Sequence, residues 1–132
     1  MRLAHIGIAV KSLRESVPIF EKIFNVKSSK MEFVEDQKVN VRKFQLDNCE
    51  IELLEGTSAD SPITKFIQKK GEGIHHISFG VNDIQNSLNN IREEGLQFIS
   101  DAPQIGANGM LIAFLHPKST NNVLIELTQT IE

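Results

Sequence analysis

Apolar and polar positions alternate from His5 to Val10, with Ile6, Ile8 and Val10 on one face and His5, Gly7 and Ala9 on the other. A period of two predicts a β-strand. Ser12 follows, with Glu15 three residues later, which is the sequence form of a capping box and predicts a helix start. Val17, Phe20, Ile23 and Phe24 then recur at helical spacing, and Asn25 is suited to close the helix. Pro18 lacks an N–H, so a local bend is expected there. Residues 31–35 and 39–46 read as strands, the turn Asp47-Asn48 follows, and Cys49 to Leu54 forms another strand with Glu50 and Glu52 opposite Ile51 and Leu53. Residues 56–61 are small and polar and read as a linker. Ser61-Pro62 opens a short helix carrying Ile63, Phe66 and Ile67, which Gly71 ends.

The alternation returns from His76 to Val81. Asp83 caps a helix carrying Ile84, Leu88 and Ile91, stopped by Gly95. Phe98-Ile99 reads as a short strand, Asn108-Gly109 as a hairpin turn before Met110 to Leu115, and Val123 to Thr128 as the last strand.

These segments form an internal repeat, which constrains the fold more than any one of them. His5-Ile6-x-Ile8-x-Val10-x-x-Leu13-x-x-Ser16 matches His76-Ile77-x-Phe79-x-Val81-x-x-Ile84-x-x-Ser87, at a constant offset of 71 from His5 to His76 and from Ser16 to Ser87. Ile51-Glu52-Leu53 matches Ile125-Glu126-Leu127 at an offset of 74 from Glu52 to Glu126, so the second half carries a slightly longer loop. Each half, about 1–56 and 73–132, reads strand, helix, strand, strand, strand, which predicts an α+β fold built as a tandem βαβββ repeat within a single domain over 1–132.

The repeat places chemistry at equivalent positions. Each half opens on a His and closes on a Glu, both opposite the apolar row that would pack on the helices, while Gly7, Ala9, Ser78 and Gly80 leave space on that face. Halves related by a two-fold axis would bring together two imidazoles and two carboxylates, a donor set suited to a divalent ion of intermediate softness. His5, Glu52, His76 and Glu126 are therefore the candidate metal ligands. Taken singly, a His at a strand start is more often packing than ligand, and a Glu on a strand face is often merely solvated; the matching pairs turn the argument. His75 points opposite to His76 and reads as packing, His116 before Pro117 as structural or rim, Cys49 as packing, and Lys69-Lys70 as a solvated helix end.

Composition narrows the function classes. A net charge of −3 argues against broad nucleic-acid binding, and the absence of Trp and Tyr removes the usual stacking platforms. The single Cys allows no internal disulfide, so a reducing cytoplasm is the expected location. Lys11, Arg14 and Glu15 interrupt the first apolar stretch, so no signal peptide is expected, and no apolar run nears the roughly 20 residues of a membrane span.

The chain resembles the vicinal-oxygen-chelate superfamily, which includes glyoxalase I, and more narrowly the methylmalonyl-CoA epimerases. The resemblance runs over nearly the whole chain. It is carried by His5-Ile6-Gly7-Ile8-Ala9-Val10, Ile51-Glu52-Leu53-Leu54-Glu55, Asp60-Ser61-Pro62-Ile63, Gly71-Glu72-Gly73-Ile74-His75-His76-Ile77, Ile105-Gly106-Ala107, Phe114-Leu115-His116-Pro117-Lys118-Ser119 and Val123-Leu124-Ile125-Glu126-Leu127. It implies a mixed sheet curled into a cup around one metal ion on His5, Glu52, His76 and Glu126, with Co²⁺ expected first and Ni²⁺, Mn²⁺ or Zn²⁺ as alternatives. The implied reaction interconverts (R)- and (S)-methylmalonyl-CoA by moving the proton at C2 through a metal-stabilised enolate. Glu126 is then the first candidate base and Glu52 its partner. Some epimerases carry Gln at the position of Glu52, and some carry a further carboxylate in the second strand, where this chain has Val41, with Glu35 and Asp36 nearby but out of register. The partner is an acyl-CoA substrate, and a homodimer is expected because open sheet edges need covering. Glyoxalase-I-like lyase chemistry and a metal-free binding protein of the same fold are the alternatives; an iron dioxygenase would need only one carboxylate, which Glu52 argues against.

Overall fold

The alternating segment around His5 forms strand β1, Arg2–Ala9, in the computed structural model, which describes residues 1–129. The last three residues of the expected second half, 130–132, lie outside the described residues. The chain divides into two units, His5–His75 and Met1–Ala4 with the residues from His76 onward. The division falls close to the repeat boundary read from the sequence, and the short helix between the halves goes with the first unit.

In the first unit β1 leads to helix α1, Leu13–Phe24. Its start is the expected cap: the Glu15 N–H donates to Ser12 Oγ at 3.2 Å. Its end is Asn25, left-handed at φ 53°, a conformation Asn tolerates better than most residues. The helix continues through Pro18. Strands β2 (Glu32–Val34), β3 (Val39–Gln45) and β4 (Glu50–Gly56) follow, then helix α2 (Pro62–Lys70), capped by Ser61 and ended at Gly71. The strand order in this unit is β2-β3-β4-β1, with β1 parallel to β4 and the other pairs antiparallel. The apolar row of β1 packs on α1 as the alternation predicts: Val10, Leu13, Val17, Phe44, Ile51 and Leu53 are buried together, with Ile6, Ile8, Phe20 and Phe24 against them.

The second unit repeats the plan with β5 (Gly73–Val81), α3 (Ile84–Glu93), β6 (Gln104–Ile105), β7 (Leu111–Phe114) and β8 (Ile125–Gln129). Here β5 is parallel to β8, and β8-β7-β6 run antiparallel. Ile84, Leu88, Ala113, Leu115 and Leu127 form its buried core. The observed elements are thus the expected tandem βαβββ repeat.

Two details differ from expectation. Phe98-Ile99 makes only an isolated bridge, Phe98 to Leu115, and the pairing strand is Gln104–Ile105 instead. Two residues carry no readable period, which is why that strand was not foreseen. The turn at Asn108-Gly109 is where the sequence puts it: both residues have positive φ, 57° and 67°, and the Met110 N–H closes the turn on the Ala107 carbonyl at 3.2 Å. The last strand starts at Ile125 rather than Val123, because Asn121 and Asn122 take left-handed conformations and the Val123 N–H is turned back to the Thr120 carbonyl.

Candidate metal centre

Parallel pairing of the first and last strands of each unit carries a histidine to a glutamate. In the first unit β1 and β4 pair with Gly7 beside Glu52. Gly7 has no side chain, so the His5 ring two residues away reaches the Glu52 carboxylate: His5 Nε2 lies 3.3 Å from Glu52 Oε1. On the other side of Glu52 the antiparallel β3–β4 pair sets Lys43 opposite it, with Lys43 Nζ 3.8 Å from Glu52 Oε2. In the second unit β5 and β8 pair with Ser78 beside Glu126. The Ser78 hydroxyl donates to Glu126 Oε1 at 2.8 Å, and Glu126 Oε2 lies 3.5 Å from His76 Nε2. The ring of Phe114 stands edge-on to His76, with centroids 5.6 Å apart at 90°.

His5, Glu52, His76 and Glu126 are all buried. Buried ionisable side chains persist only where something offsets the loss of hydration. Each Glu here has a partner within its own unit, so neither pair depends on solvent. The donor types fit a divalent ion: His5, Glu52 and His76 each offer a ligand atom from a buried position, and imidazole nitrogen with carboxylate oxygen suits ions of the first transition row.

The structure therefore brings His5 to Glu52 in one unit and His76 to Glu126 in the other. It places the remaining candidates elsewhere. His75 packs edge-on against Phe66, with centroids 5.0 Å apart, and is a packing residue as expected. His116 caps a 3₁₀ turn, its Nδ1 accepting from the Lys118 N–H at 3.1 Å. Cys49 packs half-buried against the first core. Lys70 extends over the Phe66 ring at the end of α2. Val41 is buried within β3, while Glu35 and Asp36 are exposed in the turn between β2 and β3. Lys43 was not foreseen. A lysine on an alternating strand ordinarily reads as a solvated position, yet it is buried here. A signal existed: a two-residue turn at Asp47-Asn48 fixes a register that sets Lys43 across from Glu52.

Comparisons with known proteins give the family of the chain. Residues 4–114 match the family described as the Glyoxalase/Bleomycin resistance protein/Dioxygenase superfamily. The ethylmalonyl-CoA/methylmalonyl-CoA epimerase of Cereibacter sphaeroides is 36% identical over 97% of this chain and 97% of its own length. The chain belongs to the methylmalonyl-CoA epimerases of the glyoxalase superfamily. Another relative, the protein YqjC of Bacillus subtilis, is 43% identical over 97% of this chain and 91% of its own. Streptomyces coelicolor methylmalonyl-CoA epimerase, solved in complex with 2-nitronate-propionyl-CoA, superposes with a TM-score of 0.94 at 34% identity, over 98% of this chain and 94% of its own. The expected α+β organisation of the epimerase family is thereby matched over nearly the full chain. Among the described residues, no helix is long and apolar enough to cross a membrane.

Proposed function

We propose that this protein is a divalent-metal-dependent epimerase that interconverts (R)- and (S)-methylmalonyl-CoA, with His5, Glu52, His76 and Glu126 as the ligands of one ion. The observation that carries the reading is the occurrence of two buried His–Glu pairs at repeat-equivalent positions in a chain of this family. Co²⁺ is the first ion to try, with Ni²⁺, Mn²⁺ and Zn²⁺ next, because this donor set does not select sharply among them. A bound ion supplies Lewis acidity at the substrate oxygens, which raises the acidity of the neighbouring C–H bond.

The proton transfer belongs to the protein. C2 of the substrate lies between a thioester and a carboxylate, so the electron pair left when the C2–H bond breaks is delocalised into carbonyl groups as an enolate. Glu126 is the residue assigned to accept that proton. The hydroxyl of Ser78 fixes one of its oxygens, which limits the carboxylate to a narrow range of orientations. Glu52, its equivalent in the other half, is assigned to the opposite face, where a proton it takes up from solvent and passes to C2 yields the other epimer, while Glu126 releases its own proton to solvent.

Metal-loaded protein should convert either epimer of methylmalonyl-CoA into the mixture while exchanging C2 hydrogen for deuterium in D₂O, both read by NMR. Absence of exchange in protein of verified metal content would reject the reading. The protein is further proposed to act as a homodimer in the cytoplasm. Light scattering at micromolar concentration should give twice the chain mass of 14.8 kDa, and a monomer mass would contradict the dimer.

A further inference from the structure

The two halves carry the same donors with different neighbours. Glu52 faces Gly7 on one side and Lys43 on the other; Glu126 faces Ser78 and Phe114 at the equivalent strand positions. One carboxylate thus has an ammonium group at 3.8 Å, and the other has a hydroxyl at 2.8 Å and an aromatic ring where the lysine would be. Lys43 is buried, with a side chain only 9% exposed. A buried ammonium is costly unless an anion accompanies it, so the departure from repeat symmetry has a physical reason in the charge of Glu52.

We propose that Lys43 is a positioning and charge-balancing residue for the metal centre. Its ammonium holds Glu52 Oε2 while Oε1 is turned to His5. It also sets the charge of the centre. Two carboxylates and a divalent ion sum to zero; Lys43 adds one positive charge. A centre with that surplus suits a substrate that arrives with its own carboxylate and gains negative charge at the reacting carbon. The inference rests on the function proposed above for the identity of that substrate, but not for its consequence for the ion. A fixed cation beside a ligand oxygen opposes metal binding through like-charge repulsion. Lys43 therefore weakens the hold on the metal while favouring the anionic substrate, and those effects have opposite signs on mutation.

Four proteins test this: wild type, Lys43→Met, Glu52→Gln and the double variant. Each is purified metal-free, melted, titrated with Co²⁺ by calorimetry, and assayed with methylmalonyl-CoA. Lys43→Met should lower the melting temperature of the metal-free protein by roughly 5–10 °C, because it removes the ammonium that offsets the buried charge of Glu52, and the double variant should recover most of that loss. Lys43→Met should bind Co²⁺ roughly tenfold more tightly, while its kcat/KM falls roughly ten- to a hundredfold, mainly through a raised KM. If Lys43→Met is too unstable to titrate, adding it to Glu52→Gln, where no buried carboxylate charge loses its ammonium, should still raise Co²⁺ affinity. Co²⁺ affinity that is unchanged or lower without Lys43, in either background, overturns the proposal and leaves the lysine as a structural prop. A wild type that binds Co²⁺ but does not turn over methylmalonyl-CoA counts against the function proposed above and not against Lys43, since the melting cycle and the sign of the affinity change do not involve the substrate; a wild type that binds no Co²⁺ overturns both.

Discussion

Glu126→Gln should abolish nearly all turnover while leaving a folded protein that still binds metal. The amide is close in size to the carboxylate and keeps a carbonyl oxygen that can accept from Ser78, whose hydroxyl meets Glu126 Oε1 at 2.8 Å in the native chain. It cannot accept a proton from carbon. Loss of a general base typically costs about a hundredfold to ten-thousandfold in rate. The measurement is deuterium wash-in at C2 of methylmalonyl-CoA, with metal content and melting temperature checked on the same sample. Wild-type exchange in metal-loaded Glu126→Gln would take Glu126 off the proton path and move attention to Glu52.

Removing the metal should have a comparable or larger effect. Lewis-acid stabilisation of a developing enolate is worth several kcal/mol, so chelation should reduce epimerisation by about a thousandfold or more. Stoichiometric Co²⁺ should restore wild type. It should not restore His5→Ala or His76→Ala, and these two variants should fail to similar degrees, because each removes the imidazole from one of two equivalent pairs. Full activity in protein shown by elemental analysis to be metal-free would end the metal-dependent reading.

Much of the arrangement was readable in the sequence, for specific reasons. The alternation at His5–Val10 and His76–Val81 is clean because one row packs on a helix and the other faces a second buried surface, so both strands keep a strict period of two. Ser12, Ser61 and Asp83 announce their helices because capping is local chemistry. The four candidate ligands emerged because duplication writes the same positions twice. Lys43 was hidden for the converse reason: it occurs in one half only, its equivalent is Phe114, and its burial depends on strand register rather than on its neighbours in sequence. Strand β6 was hidden because two residues leave no pattern, and the late start of β8 because two asparagines in left-handed conformations look like any polar loop.

In each half the histidine stands on the first strand and the glutamate on the last, and the two meet only through the parallel pairing. The pairing must close the whole stretch of chain between them as a loop before that contact exists. The hairpins β3–β4 and β7–β8 are local and can form early, whereas the parallel closure joins distant stretches and is slow by comparison. A half-folded chain consequently offers an ion scattered single ligands and no chelate. Binding of the proposed ion at the finished pairs would stabilise the native state over the open chain. If the proposed ion binds, its uptake would act as a proofreading mark on the fold, reporting that both copies of the repeat have closed.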